Sequence, residues 1–141
     1  MRILAKFDIQ KMQYMNAFEQ TTGVKAKTCF YYSNMVVFAV PKIFLARAVG
    51  RNASNIRELM RKINRRIKII AVPNSKADLE NFINSIIYPY HVNSLSFENN
   101  LVIVHANPKI KALLIGRGKV KVHELAEAVE VFFGIKEVQI R

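Results

Sequence analysis

Two short segments of the chain place an arginine directly after a glycine: Gly50-Arg51-Asn52-Ala53 and Gly116-Arg117-Gly118-Lys119. A glycine in such a turn lets a phosphate approach the backbone, because no Cβ stands in the way. If a helix follows the turn, its first backbone N–H groups have no partner within the helix and its dipole attracts an anion. The arginine adds positive charge and further donors. Both segments therefore predict non-covalent binding of phosphate groups.

The surroundings of the two glycines form an internal repeat. Pro41-Lys42-Ile43 precedes the first glycine, and Pro108-Lys109-Ile110 precedes the second. Apolar residues follow each turn at helical spacing; they are Ile56, Leu59, Met60 and Ile63 in the first copy and Val122, Leu125, Ala126 and Val129 in the second. Agreement in order, spacing and residue type indicates two copies of one structural unit.

The first copy reads as helix, two strands, two helices and a strand. Asp8 is the expected N-cap of a helix that ends at Gly23, and its expected buried stripe is Ile9, Met12, Met15 and Phe18. Strands are predicted at 27–32 and 35–40, joined by a turn at Ser33-Asn34. A short helix from Pro41 to Val49, a helix at 54–64 and a strand at 66–72 follow.

The second copy repeats this order. A capping box that begins at Ser75 precedes a helix ended by Pro89. Strands are predicted at 92–97 and 101–106, helices from Lys109 to the Gly116 turn and from there to Gly134, and a last strand at 135–140. The sequence thus predicts an α+β fold with two αββααβ domains, residues 1–73 and 74–141, each with a three-stranded sheet packed on helices.

The net charge of +12 is unevenly distributed. Residues 1–75 contain fourteen Lys or Arg and three acidic residues, whereas residues 76–141 contain eight and seven. A strongly basic half attracts polyanions through its long-range field and through counterion release. Nucleic acid is therefore the expected partner, and the first domain is expected to bind it more strongly.

The glycine-arginine turns between two helices resemble the GxxG loop of KH domains, which clamps the backbone of about four single-stranded nucleotides. The order αββααβ resembles the type II arrangement of that family. Two such units in a chain of this length are similar to the archaeal NusA-like transcription factors. The resemblance implies single-stranded RNA binding in transcription elongation, termination or antitermination, with RNA polymerase or the ribosome as a further partner.

The candidate RNA-binding residues are those of the two turns, which the resemblance assigns, and the basic residues close to them. They are Gly50, Arg51, Asn52 and Ala53 with Arg47, Arg57 and Arg61 in the first domain, and Gly116, Arg117, Gly118, Lys119 and Lys121 in the second. The family's fourth glycine is replaced by Ala53 and by Lys119. Alanine fits this position if its φ is negative, whereas lysine is bulkier, so the second loop is expected to be the weaker clamp.

Other chemistry finds little support in the sequence. Neither glycine turn continues into the Gly-Lys-Ser/Thr of a P-loop, and no pair of carboxylates stands out as a general acid and base. His91, His105 and His123 lack metal-ligand spacing, and Cys29 is the only cysteine. We expect no enzyme activity, no cofactor and no membrane span, and a cytoplasmic location. Two alternatives stay open: a protein associated with ribosomal RNA, and a protein-interaction scaffold with a degenerate second unit.

Overall fold

The computed structural model describes the backbone from Leu4 to Arg141 and the side chains from Ile9 onward. The chain divides into two compact units, of which the first ends at Val72 and the second begins at Pro73. In the described part of the chain, each unit is a three-stranded sheet packed on helices. The predicted α+β fold is confirmed at this level.

The first unit has the element order predicted for it. Its elements are α1 (Leu4–Thr22), β1 (Thr28–Tyr32), β2 (Met35–Val40), α2 (Leu45–Val49), α3 (Ser54–Ile63) and β3 (Arg66–Ala71). Strand β2 lies in the centre of the sheet, antiparallel to β1 and parallel to β3. A parallel neighbour requires a crossover connection, and α2 with α3 provides it. The loop that contains Gly50 lies within this crossover.

The turn between β1 and β2 follows from its two residues. Ser33 and Asn34 both have positive φ, of 51° and 63°, which matches the twist of the flanking strands. Tyr32 and Met35 are paired directly across it. The predicted two-residue hairpin is therefore confirmed.

Helix α1 packs on the core mainly through its C-terminal half. Phe18 is fully buried and its ring stacks on Phe38 with centroids 4.5 Å apart. The helix ends where Gly23, at a φ of 72°, donates its N–H to the Glu19 carbonyl over 2.9 Å, as glycine at this position commonly does. The predicted C-terminal end of α1 is confirmed.

The N-terminal half of α1 differs from the prediction. The helix begins at Leu4, so Asp8 lies within it and the predicted start is wrong; the Asp8 side chain lies outside the described residues. Ile9 is 57% exposed and Met12 is 64% exposed, so the predicted buried stripe is wrong at both. Helix α1 is about 28 Å long and α3, on which it packs, about 15 Å, so α3 is too short to cover Ile9 and Met12 as well.

The second unit has the same order and the same sheet pairing. Its elements are α4 (Leu79–Ile87), β4 (Ser94–Glu98), β5 (Leu101–His105), α5 (Pro108–Ile115), α6 (Val120–Phe133) and β6 (Glu137–Ile140). Strand β5 is antiparallel to β4 and parallel to β6. Fully buried residues recur 66 positions apart: Val36 with Val102, and Leu59 with Leu125. The repeat in the sequence is therefore a repeat in structure.

The helix starts deviate in detail from the predictions. Ser75 makes no side-chain cap; instead, the Asp78 carboxylate accepts the backbone N–H of Asn74 over 2.8 Å, and a 3-10 turn precedes α4. A 3-10 turn likewise separates Pro41 from the start of α2.

Among the described residues, no helix is long and apolar enough to cross a bilayer.

The burial of Leu59 in α3 and the exposure of Met12 in α1 predict that truncating these two side chains affects the stability of the protein differently. Leu59→Ala removes a fully buried side chain, so we expect a loss of about 2–5 kcal/mol in the free energy of unfolding. Met12→Ala should change it by less than about 0.5 kcal/mol, because that side chain is mostly exposed. Urea unfolding measures both, and similar losses in the two variants would contradict the described packing.

Candidate nucleic-acid interface

The two glycine-arginine turns each begin where a short helix ends. Gly50 and Gly116 donate their N–H groups to the carbonyls of Ala46 and Ala112, over 3.0 and 3.1 Å, and so close α2 and α5. Their φ/ψ values are 80°/166° and 73°/171°, a region that only glycine occupies readily. A Cβ at Gly50 would also lie 2.8 Å from the Ser54 hydroxyl. The chain can leave each helix in this direction only through glycine.

The third and fourth residues of both turns adopt the left-handed conformation. The φ values are 55° at Asn52 and 59° at Ala53, and 65° at Gly118 and 61° at Lys119. In each turn the fourth N–H donates to the carbonyl of the first glycine, over 3.1 Å to Gly50 and 3.2 Å to Gly116. The two turns thus share one backbone conformation although their residues differ.

This conformation corrects the expectation for the fourth position. The premise that Ala53 has a negative φ is wrong, and Lys119 lies in the same left-handed region. Both turns therefore tolerate a side chain where glycine would be less strained. The expected difference in geometry between the two loops is not present in their backbones, so what separates them is charge and surroundings.

Side chains of the first unit tie the Gly50 turn to the flanking helices. The Arg57 guanidinium donates to the carbonyl of Asn52, and the Asn55 side-chain amide donates to the carbonyl of Arg47 over 3.2 Å. A Cβ at Gly23 would lie 3.7 Å from Nη2 of Arg47, so that guanidinium reaches the end of α1. Among the candidate residues, Arg57 therefore contacts the turn itself, whereas Arg47 extends away towards α1.

The candidate RNA-binding residues differ in how far their side chains are exposed to solvent. The exposed ones are Arg47, Arg51, Asn52, Arg57 and Arg61 in the first unit and Arg117, Gly118 and Lys119 in the second; Gly50, Ala53, Gly116 and Lys121 are half-buried. Arg61 lies four residues after Arg57 and hence on the same face of α3. Lys121 packs against the turn, because a Cβ at Gly116 would lie 2.9 Å from its Cγ. Lys121 supports the second turn in addition to carrying charge.

A groove borders the turn of the second unit. It has a volume of about 550 Å³ and is lined by Ile115, Lys119, Val122, His123, Ala126 and residues 136–141. The turn and α6 form one wall, and β6 forms the other. This volume lies within the range of clefts that bind small organic groups. The second unit therefore has, beside its turn, a groove lined by both helix and strand residues.

Strand β6 presents backbone groups to this groove. It is the edge strand of its sheet, and Glu137 and Arg141 direct their N–H groups to β5 at the carbonyls of Asn100 and Val104. Because backbone direction alternates along a strand, the N–H and C=O groups of Val138 and Ile140 point to the open edge. The sequence alone does not indicate this wall, because only the pairing of β6 with β5 identifies it.

The same sheet register identifies the corresponding wall of the first unit. Arg66 pairs with Met35 as Glu137 pairs with Leu101, so Arg66 and Lys68 occupy the places of Glu137 and Gln139. Burial, with a smaller contribution from Arg66, lowers the pKa of the half-buried Lys68 below its ordinary value. At these two positions the first unit carries two basic residues, whereas the second unit carries one acidic and one neutral residue.

Several aromatic and basic side chains of the first unit are buried or have a partner within that unit. Phe30 and Tyr32 are buried, whereas Tyr31 donates its hydroxyl to Gln10 over 3.0 Å and carries the Arg65 guanidinium 5.6 Å from its ring centroid. Lys62 donates to the Thr21 hydroxyl over 3.0 Å.

Burial raises the pKa of Cys29 to about 11, so its thiol stays protonated near neutral pH. Across the described residues, no cluster of His, Cys, Asp and Glu could hold a metal ion.

Comparisons with known proteins agree with this architecture. No protein family model matches the chain. The chain is 23% identical to the "Probable transcription termination protein NusA" of Methanococcus vannielii, over 139 residues that cover 96% of this chain and 79% of that relative. The solved structure described as "Crystal structure of APE1850" has a TM-score of 0.68 at 23% identity, and the match covers 94% of this chain and 99% of that one. The fold is shared with that structure, and the chain is distantly homologous to an archaeal NusA-like protein.

The positive φ of the fourth turn residue makes a prediction about stability. Ala53→Gly should raise the free energy of unfolding by roughly 0.5 to 1 kcal/mol, because relief of the left-handed conformation exceeds the entropic cost of glycine. The same change at the exposed helical residue Ala46 should lower it by about 1 kcal/mol. Urea midpoints measure both variants, and a loss of stability at both positions would contradict the conformation of the turn.

Proposed function

We propose that this chain binds single-stranded RNA through two KH-like units of the type II arrangement, residues 1–73 and 74–141, and acts in transcription elongation or termination. The observation that carries the proposal is the turn conformation, which occurs twice between consecutive helices and each time brings an exposed arginine with it. Neither the charge of the chain nor a single glycine turn would support RNA binding to the same degree.

The phosphate-binding part of the proposal rests on the backbone of the turns. In the described structure no side chain caps α3 or α6 at Ala53 or Lys119. The first N–H group of each helix, that of Ser54 or Val120, donates to the carbonyl of Arg51 or Arg117, so the N–H groups that follow it in the first turn are the ones offered to an external acceptor. The helix dipoles favour an anion at the same place. Arg51 and Arg117 are exposed beside these N–H groups and supply the charge that a phosphodiester requires.

The base-binding part rests on the groove beside Lys119. A backbone held at the turn would lay its bases across Val122 and Ala126 of α6 towards the open edge of β6. There, the outward N–H and C=O groups of Val138 and Ile140 offer donors and acceptors to base edges. Single-stranded RNA suits this arrangement because its bases are free to turn into a groove.

The two units contribute differently in this proposal. The first carries most of the positive charge, so it supplies most of the salt-dependent affinity. The second carries the groove and extends the footprint along the RNA. This groove also argues against the alternative in which the second unit is only a protein-interaction scaffold.

The transcription role is supported by the distant relative whose name states transcription termination. On that basis we propose a cytoplasmic, non-enzymatic protein that acts near RNA polymerase. An association with ribosomal RNA is the alternative. Co-sedimentation with ribosomal particles instead of with polymerase would favour that alternative.

The first turn can be tested with a double substitution. Arg51→Asp with Asn52→Asp places carboxylates where a phosphate would bind, and aspartate tolerates the left-handed conformation of residue 52. We expect at least about a tenfold loss of affinity for short single-stranded RNA, and a log–log salt slope flatter by about 0.7 for each lost phosphate contact. Fluorescence anisotropy at several salt concentrations measures both quantities.

A matched control separates the turn from overall charge. Lys25→Asp with Asn16→Asp makes the same change in net charge at exposed positions of the same unit, outside the turn. This variant should keep the salt slope of the wild type. Equal losses in the two double variants, or unchanged binding in the first, would contradict phosphate binding at Gly50-Arg51-Asn52-Ala53.

A further inference from the structure

Strand β6 carries a row of hydrogen-bonded polar side chains beside the groove. Nη2 of Arg141 donates to Oε1 of Gln139 over 3.0 Å, and Nε2 of Gln139 donates to Oε1 of Glu137 over 3.4 Å. Val138 and Ile140, between them, are buried, so the three polar side chains share the other face of the strand. All three residues line the groove, and the row fixes their relative positions.

The end of this row is a hydrogen-bond acceptor. A carboxylate accepts hydrogen bonds and donates none, and among the described hydrogen bonds Oε2 of Glu137 accepts none. A carboxylate repels a phosphate, so Glu137 does not favour the RNA backbone. It does favour a group that presents N–H donors.

Bases differ in whether they present such a group. Cytosine, adenine and guanine carry an exocyclic amino group, and a carboxylate accepts well from the amino group of cytosine. Uracil has a carbonyl oxygen where cytosine has that amino group. A uracil oxygen that faced Glu137 would place two acceptors together and leave both without a donor.

The first unit lacks this acceptor row. The sheet register puts Arg66 and Lys68 at the positions of Glu137 and Gln139. Both are cations that only donate hydrogen bonds, so they favour phosphate or carbonyl oxygen over an amino group. A preference that arises from β6 therefore belongs to the second unit alone.

We propose that the groove of the second unit selects bases with an exocyclic amino group over uracil, with Glu137 as the specificity-determining residue and Gln139 and Arg141 as its positioning residues. This inference rests on the proposed RNA binding. Gln139 holds the carboxylate of Glu137, and Arg141 holds the amide of Gln139 so that its nitrogen faces Glu137.

The test compares cytosine with uracil, the two bases of nearest size. The full chain is titrated with oligouridine of about eight nucleotides, four for each unit, and with the same oligomer that contains cytosines at its centre. We expect the wild type to bind the cytosine oligomer about five- to tenfold more tightly. In Glu137→Gln this ratio should fall to about one, because an amide can donate to the uracil oxygen as well as accept.

The matched control is Glu130→Gln, which makes the same charge change at an exposed position of α6 that does not line the groove. Both variants should bind all RNA slightly more tightly, whereas the cytosine preference should be lost only in Glu137→Gln. Urea midpoints equal to that of the wild type establish that both variants are folded.

Each contrary outcome has a distinct meaning. RNA binding by the wild type without a cytosine preference would overturn the role of Glu137 and leave the proposed function standing. An equal loss of preference in the two variants would also overturn it, because the effect would then be one of net charge. A failure of the wild type to bind any of these oligomers would overturn the proposed function and this inference together.

Discussion

The structure of each unit depends on a reversal of the chain between two helices through backbone that has positive φ. The parallel pair of strands requires a crossover, and the crossover is a short helix, a turn and a longer helix. Gly50 and Gly116 begin the turn in a conformation that only glycine adopts readily. The start of the following helix, the exposure of the arginine and, in the second unit, the mouth of the groove are all set by this reversal.

Packing outside the turn stabilises its conformation in each unit, because the fourth residue of the turn is not a glycine although its φ is positive. Ala53 and Lys119 lie in the left-handed region at a cost of about 1–2 kcal/mol each. Leu59 and Leu125, fully buried one and a half turns into the following helices, anchor those helices against their sheets. Burial of leucine contributes roughly 1.5–3 kcal/mol, which is enough to hold the strained residue in place. The same backbone therefore forms around different side chains, and the two units can differ in charge without a difference in shape.

Much of this arrangement could be predicted from the sequence, because local patterns determine it. The repeated glycine-arginine pair, the helical spacing of Ile56 and Leu59, and the Ser33-Asn34 turn each act within a few residues. What could not be predicted depends on contacts between separate elements or on the closure of the turn itself. The exposure of Met12 follows from the length of α3, the φ of Ala53 from closure of the turn, and the placement of Glu137 beside the groove from the pairing of β6 with β5.

The central claim is that the turn backbone is the place where the chain meets a phosphodiester. Amide chemical shifts of this 16.2 kDa chain, followed by NMR during titration with short single-stranded RNA, test it most directly because they report each N–H separately. The account predicts the largest shifts at residues 50–53 and 116–119 and in the first turns of α3 and α6, with smaller ones along the edge of β6. Shifts confined to β1, β4 and the N-terminal half of α1, with the turns unaffected, would contradict it.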